Sequence, residues 1–177
     1  MPSPTVLKTE TMYRGRAFTV RVDELELRPG LTTRLDVIEH PGAVTLLPFD
    51  AEGYLWFIRQ YRHCAGETIL ELPAGTLEPG EDPAAGAARE LQEEIGMRAG
   101  QLEKLSGFWL APGYSTEFMH LYLATDLSPS QLEQDADEII TVEKLRPAQA
   151  LACAARGELR DSKSLVALFV AARRFGW

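Results

Sequence analysis

The 177-residue chain has few cysteines, no long apolar run and a shortage of positive charge. Cys64 and Cys153 are too few for a disulfide framework or a zinc cluster, so we interpret both as reduced, structural thiols of a cytoplasmic protein. The longest purely apolar run, 165–172, is too short to span a bilayer, and residues 1–10 lack the apolar core of a signal peptide. We therefore expect no membrane partner.

Acidic residues outnumber basic ones, with 26 Asp and Glu against 18 Lys and Arg and a net charge of −8. Such a surface repels a phosphate backbone, so we expect no nucleic-acid partner. The length and the hydrophobic fraction of 45% are those of one globular protein with a substantial core. An excess of acid is also what a cation site built from carboxylates would produce.

The stretch 75–97 predicts a loop followed by one short helix. Asp82 is a good N-cap, Pro83 a good first helical residue, and Gly96 a good left-handed stop. Between them, apolar residues recur at helical spacing and form one stripe: Ala84, Ala87, Ala88, Leu91 and Ile95. The glutamates of this helix fall off that stripe.

Glu90 and Glu94 lie one turn apart on one face of the predicted helix, and Glu93 flanks them. Like charges at this spacing repel and weaken a helix. A hard divalent cation reverses the penalty, because Mg²⁺ takes carboxylate oxygens as ligands. A solvated acidic helix face is the alternative. We expect Glu90 and Glu94 to bind Mg²⁺, with Mn²⁺ or another divalent cation as a substitute.

One fixed spacing of glycine, glutamate, arginine and apolar residues runs through this stretch: Gly75, Glu81, Arg89, Glu90, Leu91, Glu93, Glu94, Gly96 and Met97. It resembles the signature of the Nudix hydrolases at every fixed position. The resemblance implies an α/β fold, the Nudix α/β/α sandwich with a mixed sheet. It also implies an enzyme that hydrolyses a small-molecule nucleoside diphosphate. It places Glu81 with the metal site. Arg89 has the wrong sign for a ligand, so we expect it to hold Glu81 or Glu93 in place.

The run Glu-Leu-Pro-Ala-Gly at 71–75 resembles the ADP-ribose pyrophosphatase branch of that family, in which the alanine, here Ala74, offers its backbone carbonyl to a metal. Arg-Gln-Tyr-Arg at 59–62 is similar to a strand end whose arginine grips the terminal phosphate. Arg62 is the preferred match and Arg59 the reserve, with a salt bridge from Arg62 to a nearby acid as the alternative. Pro112 stands fifteen residues after Met97, as in that branch.

The segment 126–138 reads as an acidic loop ahead of a strand at 139–142. The branch carries a catalytic glutamate in its corresponding loop, and Glu138 is the best match. Asp135 or Asp137 could take that role, and a solvated acidic loop is the alternative. The expected base that deprotonates the attacking water is Glu138 or Glu93.

Residues 1–40 predict an N-terminal antiparallel β extension ahead of a hydrolase domain at 41–177. The strands expected there begin at Thr11, run through 18–22, 25–27 and 32–38, and turn at 28–30. The branch exchanges such strands between subunits, which implies a homodimer; a sheet packed on its own domain is the alternative. Residues of these strands are candidates for contacts with the adenine: Phe18, Arg16 and Arg34.

The rest of the chain predicts a scaffold. Strands at 43–49 and 54–62 flank a turn and carry a hairpin signal, and further strands are expected at 102–109 and 117–124. One helix is expected at 147–156. A last helix at 165–175 would be capped by Ser162 or Ser164, with one buried face: Leu165, Leu168, Phe169 and Ala172.

The function predicted is Mg²⁺-dependent hydrolysis of ADP-ribose to AMP and ribose 5-phosphate. One alternative is a Nudix pyrophosphatase for another nucleoside diphosphate sugar such as GDP-mannose. The other is a non-catalytic ADP-ribose sensor, which the retention of all four signature glutamates disfavours.

Overall fold

A computed structural model describes residues 3–133 and 139–177. In that part of the chain, strands and helices follow one another in this order: β1 (Thr5–Arg14), β2 (Thr19–Arg28), β3 (Leu31–Glu39), β4 (Ala43–Pro48), β5 (Leu55–Arg62), β6 (Glu67–Glu71), β7 (Ala74–Thr76), α1 (Pro83–Ile95), β8 (Met97–Trp109), β9 (Phe118–Pro129), β10 (Ile140–Leu145), α2 (Pro147–Ala155) and α3 (Ser162–Phe175). Within those residues, no helix combines the length and the apolar character needed to cross a membrane.

The chain divides into two compact units. The N-terminal unit comprises Met1–Gly42 and Trp109–Phe118, and the core unit comprises Ala43–Phe108 and Met119–Trp177. The predicted β extension, 1–40, therefore lies within the first unit.

The N-terminal unit is an antiparallel sheet in the order β1-β2-β3. The second segment of this unit, Trp109–Phe118, is hydrogen-bonded to β3: the N–H of Ile38 donates to the carbonyl of Tyr114 at 2.7 Å. The predicted turn before β3 is present, with Gly30 at φ 79°. The predicted separate strands at 18–22 and 25–27 are one continuous strand, β2.

Strand β1 begins at Thr5, six residues before the predicted start at Thr11. Every residue of β1 is exposed, so its sequence carries no alternation between a buried and a solvated face. Its pairing with β2 defines it instead, and that pairing is not visible in a local pattern.

The core unit has a mixed sheet in the order β7-β4-β9-β8 and an antiparallel sheet in the order β10-β5-β6. Strand β9 runs parallel to β4, and its side chains alternate between two apolar clusters. Leu121 and Leu123 pack in the cluster with α2 and α3, whereas Tyr122 and Ala124 pack in the cluster with α1. Helices therefore cover opposite faces of β9.

The hairpin predicted from 43–62 is wrong in its pairing, although both strands exist. β4 and β5 belong to different sheets, and a single bridge joins Phe49 to Leu55. Strand β4 is buried along its whole length, and β5 begins with four apolar residues at 55–58, so their composition does not indicate which strand lies beside them. The loop predicted from residue 126 is also shorter, because β9 continues to Pro129.

Helix α1 begins and ends as predicted. Asp82 Oδ1 accepts the N–H of Ala84 at 2.9 Å, and Gly96 closes the helix at φ 67°.

The predicted cap of α3 is wrong, because Asp161 accepts the N–H of Ser164 and starts the helix at Ser162. Its predicted face is wrong at Phe169, which is 55% exposed. The buried face uses small residues, Ala167 and Ala171, that hydrophobicity does not distinguish from their neighbours. Both cysteines are free, and Cys64 is exposed rather than structural.

Candidate active site

Helix α1 buries two of its glutamates against strand β7. Glu90 is 8% exposed and Glu94 is 2% exposed, so both lie at the edge of the buried face rather than in solvent. Glu94 Oε2 accepts the backbone N–H of Ala74 at 2.8 Å. Ala74, which is predicted to offer its backbone carbonyl to a metal, therefore donates its N–H to Glu94, another predicted metal ligand.

Two glycines allow the close approach of the loop to α1. A Cβ on Gly75 would overlap the carboxylate of Glu90, so only glycine leaves room for that side chain. A Cβ on Gly86 would lie 2.7 Å from Leu77 Cδ2, so this glycine lets the loop lie on the helix. The role of Gly86 was not predicted from the sequence; its signal is a glycine inside a helix, which costs about 1 kcal/mol relative to alanine.

Arg89 is the centre of a hydrogen-bond network that joins the loop to α1. Its Nε donates to Glu81 Oε1 at 3.0 Å and its Nη2 to Glu81 Oε2 at 3.1 Å. Its Nη1 donates to Glu90 Oε1 at 2.7 Å and to Glu93 Oε2 at 2.8 Å. Nη2 also reaches the carbonyl of Thr76 at 3.3 Å. One guanidinium therefore fixes three glutamates.

The network shifts the pKa values of two of its members, Arg89 and Glu81. The hydrogen bond to Glu81 raises the pKa of Arg89 far above its usual range, against the opposing effect of burial. The hydrogen bonds from Arg89 lower the pKa of Glu81, again against burial, and the N–H of Glu78 adds to the effect. Both groups are therefore held in their charged forms.

The signature segment concentrates negative charge. The four carboxylates of Glu81, Glu90, Glu93 and Glu94 outnumber the two arginines that interact with them: Arg89 pairs with the first three, and the charge of Arg62 interacts with that of Glu94. Partly buried charge without compensation is costly, and hard carboxylate oxygens are the donors that Mg²⁺ prefers. Among residues 3–133 and 139–177, however, no three acidic, histidine or cysteine side chains converge as a formed metal site. The donor chemistry fits a hard divalent cation, and Arg89 lies among the donors.

Arg62 forms an ion pair with the buried carboxylate of Glu71. Its Nε donates to Glu71 Oε1 at 2.7 Å and its Nη2 to Glu71 Oε2 at 3.1 Å. This ion pair is the alternative weighed for Arg62. Its side chain keeps 39% of its surface exposed. Arg59 pairs with Glu143 at 2.5 Å on the surface. Glu71 was not predicted from the sequence, because nothing in its local pattern indicates that it is only 1% exposed.

The other predicted substrate contacts belong to the N-terminal unit. Phe18 is 41% exposed, Pro112 is exposed, and Arg34 lines a small polar cavity with Lys8 and Glu24. Arg16 is exposed as well. Glu138, one of the two predicted bases, lies outside the described residues, as do its alternatives Asp135 and Asp137, whereas the other predicted base, Glu93, lies on α1 and pairs with Arg89.

Comparison with known proteins identifies the family. Residues 39–168 match the family model of the NUDIX domain. The chain is 35% identical over 161 residues to the ADP-ribose pyrophosphatase of Bacillus subtilis strain 168, a match that covers 90% of this chain and 87% of that protein. It is 37% identical over 164 residues to the methanol dehydrogenase activator of Bacillus methanolicus, covering 92% and 89%.

A crystal structure of an ADP compounds hydrolase matches the fold with a TM-score of 0.88 and 29% identity, over 99% of this chain and 96% of that one. The predicted Nudix α/β fold is therefore confirmed. With the complete signature on the loop and helix of 75–97, the chain belongs to the Nudix family and is a Nudix pyrophosphatase.

Proposed function

We propose that the enzyme hydrolyses the diphosphate of ADP-ribose, with Mg²⁺, to AMP and ribose 5-phosphate. The observation that carries the proposal is the pair of buried glutamates, Glu90 and Glu94, held on α1 against the backbone of β7. The substrate is supported by likeness to proteins named for ADP-ribose and ADP compounds.

We assign the cation to Glu90, Glu94 and the carbonyl of Ala74, with Glu81 at the edge of the site. When bound, divalent cations would neutralise the charge of the diphosphate. Arg89 donates to Oε1 of Glu90, and a carboxylate has two oxygens, so Glu90 can bind a cation without losing this hydrogen bond. Arg89 retains Glu81 and Glu93 as partners, so it continues to position the loop.

The remaining roles belong to groups around these carboxylates. Glu93 or Glu138 takes the proton from the attacking water. Arg62 binds the terminal phosphate through the exposed side of its guanidinium, while Glu71 fixes its plane. We assign the adenine to Phe18 and Arg34, and we assign to Pro112 the rigid turn beside the substrate.

We further propose a homodimer with exchanged N-terminal strands. Strand β1 is exposed along its whole length, and several large apolar side chains of this unit are exposed: Val6, Leu7, Met12, Tyr13, Phe18, Leu27, Leu31 and Leu35. A solvated apolar surface of this kind is typical of an interface. The two free cysteines favour a cytoplasmic location.

A substrate panel tests the activity. Phosphate release is measured in the presence of a phosphatase and Mg²⁺, for ADP-ribose, GDP-mannose, NADH, FAD, a diadenosine polyphosphate and an oxidised dGTP. We expect ADP-ribose to have the highest kcat/KM and a chelator to abolish turnover. Preference for GDP-mannose would replace the substrate and withdraw the roles of Pro112 and Glu138, which rest on the likeness to ADP-ribose pyrophosphatases. Tight binding of ADP-ribose without turnover under any metal would contradict an enzyme.

A further inference from the structure

A buried group of charges lies at the start of α3, outside the glutamate cluster of α1. Lys163 is 8% exposed and donates to Glu71, which is 1% exposed. The same ammonium lies 3.1 Å from Asp161 Oδ2. Burying an ion pair costs more desolvation free energy than an apolar pair of similar volume, so stability alone is a weak reason for it.

The chain that follows Glu71 leads directly to the candidate metal site, and each of its next residues is fixed. The N–H of Leu72 donates to Ser164 Oγ at 2.7 Å, and the carbonyl of Pro73 accepts the N–H of Leu46 at 2.9 Å. The N–H of Ala74 donates to Glu94 at 2.8 Å. A short segment, 72–74, therefore joins the start of α3 to the predicted metal ligand Glu94, and each of its residues makes a hydrogen bond.

Glu71 accepts hydrogen bonds from two positively charged side chains, Arg62 and Lys163. Its Oε1 accepts Arg62 Nε, and its Oε2 accepts both Arg62 Nη2 and Lys163 Nζ. Burial lowers the pKa of Arg62, but its hydrogen bonds to Glu71 and the charges of Glu71, Glu94 and Asp161 raise it overall. Arg62 therefore stays charged and lies within the electrostatic field of Glu94.

We propose that Lys163 is a positioning residue for substrate binding: by sharing Glu71 with Arg62, it keeps that carboxylate from neutralising the guanidinium that receives the diphosphate. Asp161, as the N-cap of α3, in turn holds Lys163. The inference rests on the proposed function in two respects, namely that the substrate is a nucleoside diphosphate and that Arg62 binds its phosphate.

The test compares steady-state kinetics of Lys163→Met with the wild-type enzyme. We expect KM to rise about tenfold, because an uncompensated Glu71 competes with the substrate for Arg62. The carboxylates of α1 are untouched, so kcat should stay within about threefold. Lys163→Arg keeps the charge and should stay close to the wild-type KM.

Arg160→Met is the matched control. Arg160 pairs with Glu67 at 2.6 Å and joins the same strand to the same end of α3, but both side chains are about half exposed. Losing this pair removes one positive charge from the same region without affecting Glu71. We expect wild-type KM and kcat for this variant.

The double variant Lys163→Met/Glu71→Gln separates positioning from stability. It removes the competing charge, and the amide oxygen of the glutamine can still accept a hydrogen bond from Arg62, so its KM should return toward the wild-type value even where Lys163→Met folds poorly. A merely structural role predicts no such rescue. Equal KM in wild type and Lys163→Met, or failure of the double variant to lower KM, would overturn the proposal.

The choice of substrate can fail separately. A wild-type enzyme that prefers another nucleoside diphosphate would defeat the proposed function alone. The KM ratio of Lys163→Met to wild type, measured on the preferred compound, then still decides the role of Lys163.

Discussion

Glu94 combines the deepest burial of the signature glutamates with a direct hydrogen bond to the chain segment beside them. Glu94→Gln preserves the volume and can still accept the N–H of Ala74, but it removes the charge. We expect kcat to fall roughly 10²-fold or more while the protein stays folded. Steady-state kinetics and circular dichroism check both statements.

Glu78→Gln is the matched control for that change, because it removes an exposed carboxylate from the loop that precedes the same helix. It should keep wild-type activity. Normal turnover by Glu94→Gln would contradict the metal assignment.

Glu81 gives a pH-dependent prediction. Arg89 lowers its folded-state pKa below the usual 4.5, so the ionised pair stabilises the folded protein fully above about pH 4.5. That contribution disappears as pH falls through the lowered pKa. We expect Glu81→Gln to reduce the free energy of unfolding by about 1 kcal/mol near neutral pH, and by less near pH 4. Urea unfolding at both pH values measures it; a pH-independent difference would contradict the ion pair.

Single residues were predictable where their meaning is local. The spacing of Glu90 and Glu94 within one helix was enough to predict a shared face, and the structure buries both. Glu71 and Lys163 carry no such signal, because each owes its burial to a partner 92 residues away. Gly86 was missed because its neighbour, Leu77, meets it only when the loop folds back.

At the scale of elements, Ser164 ties α3 to the chain ahead of β7. Its Oγ accepts the N–H of Leu72, and both residues are fully buried. Ser164→Ala leaves that N–H without its acceptor, so we expect a loss of about 2 kcal/mol in the free energy of unfolding. Chemical denaturation measures it.

Ser162→Ala serves as the comparison for that loss. Ser162 is exposed at the first position of the same helix, and its replacement should change stability by less than about 0.5 kcal/mol. Equal losses in the two variants would show that the bond to Leu72 contributes nothing.

The bounds of an element were predicted well where start and stop signals are local, but the pairing of strands was not predicted. Asp82 caps the start of α1 and Gly96 caps its end, each through contacts with residues a few positions away. The neighbours of β4 are β7 and β9, which come later in the chain than the adjacent β5. No turn signal near β4 can encode that choice.

At the scale of the whole molecule, the exposed strand β1 predicts a dimer in solution. Light scattering should give a mass near twice 19.6 kDa for the wild-type protein. Val6→Glu/Met12→Glu places charge on two apolar side chains that are more than half exposed in the single chain, and it should yield monomers.

Thr11→Glu adds charge to an exposed polar position of the same strand and should remain dimeric if the apolar side chains form the interface. A monomeric wild-type protein across concentrations would contradict the exchange of strands.

The dependence of the site on α3 also bears on how the enzyme is made. The signature stretch 75–97 leaves the ribosome well before Lys163 and Ser164, whose bonds to residues 71 and 72 each span 92 positions. A nascent chain therefore carries every signature glutamate without the support that positions the segment beside them. Activity should begin only after α3 has been synthesised, and a transcript that ends before residue 161 should give a product that contains the signature but has no catalytic activity.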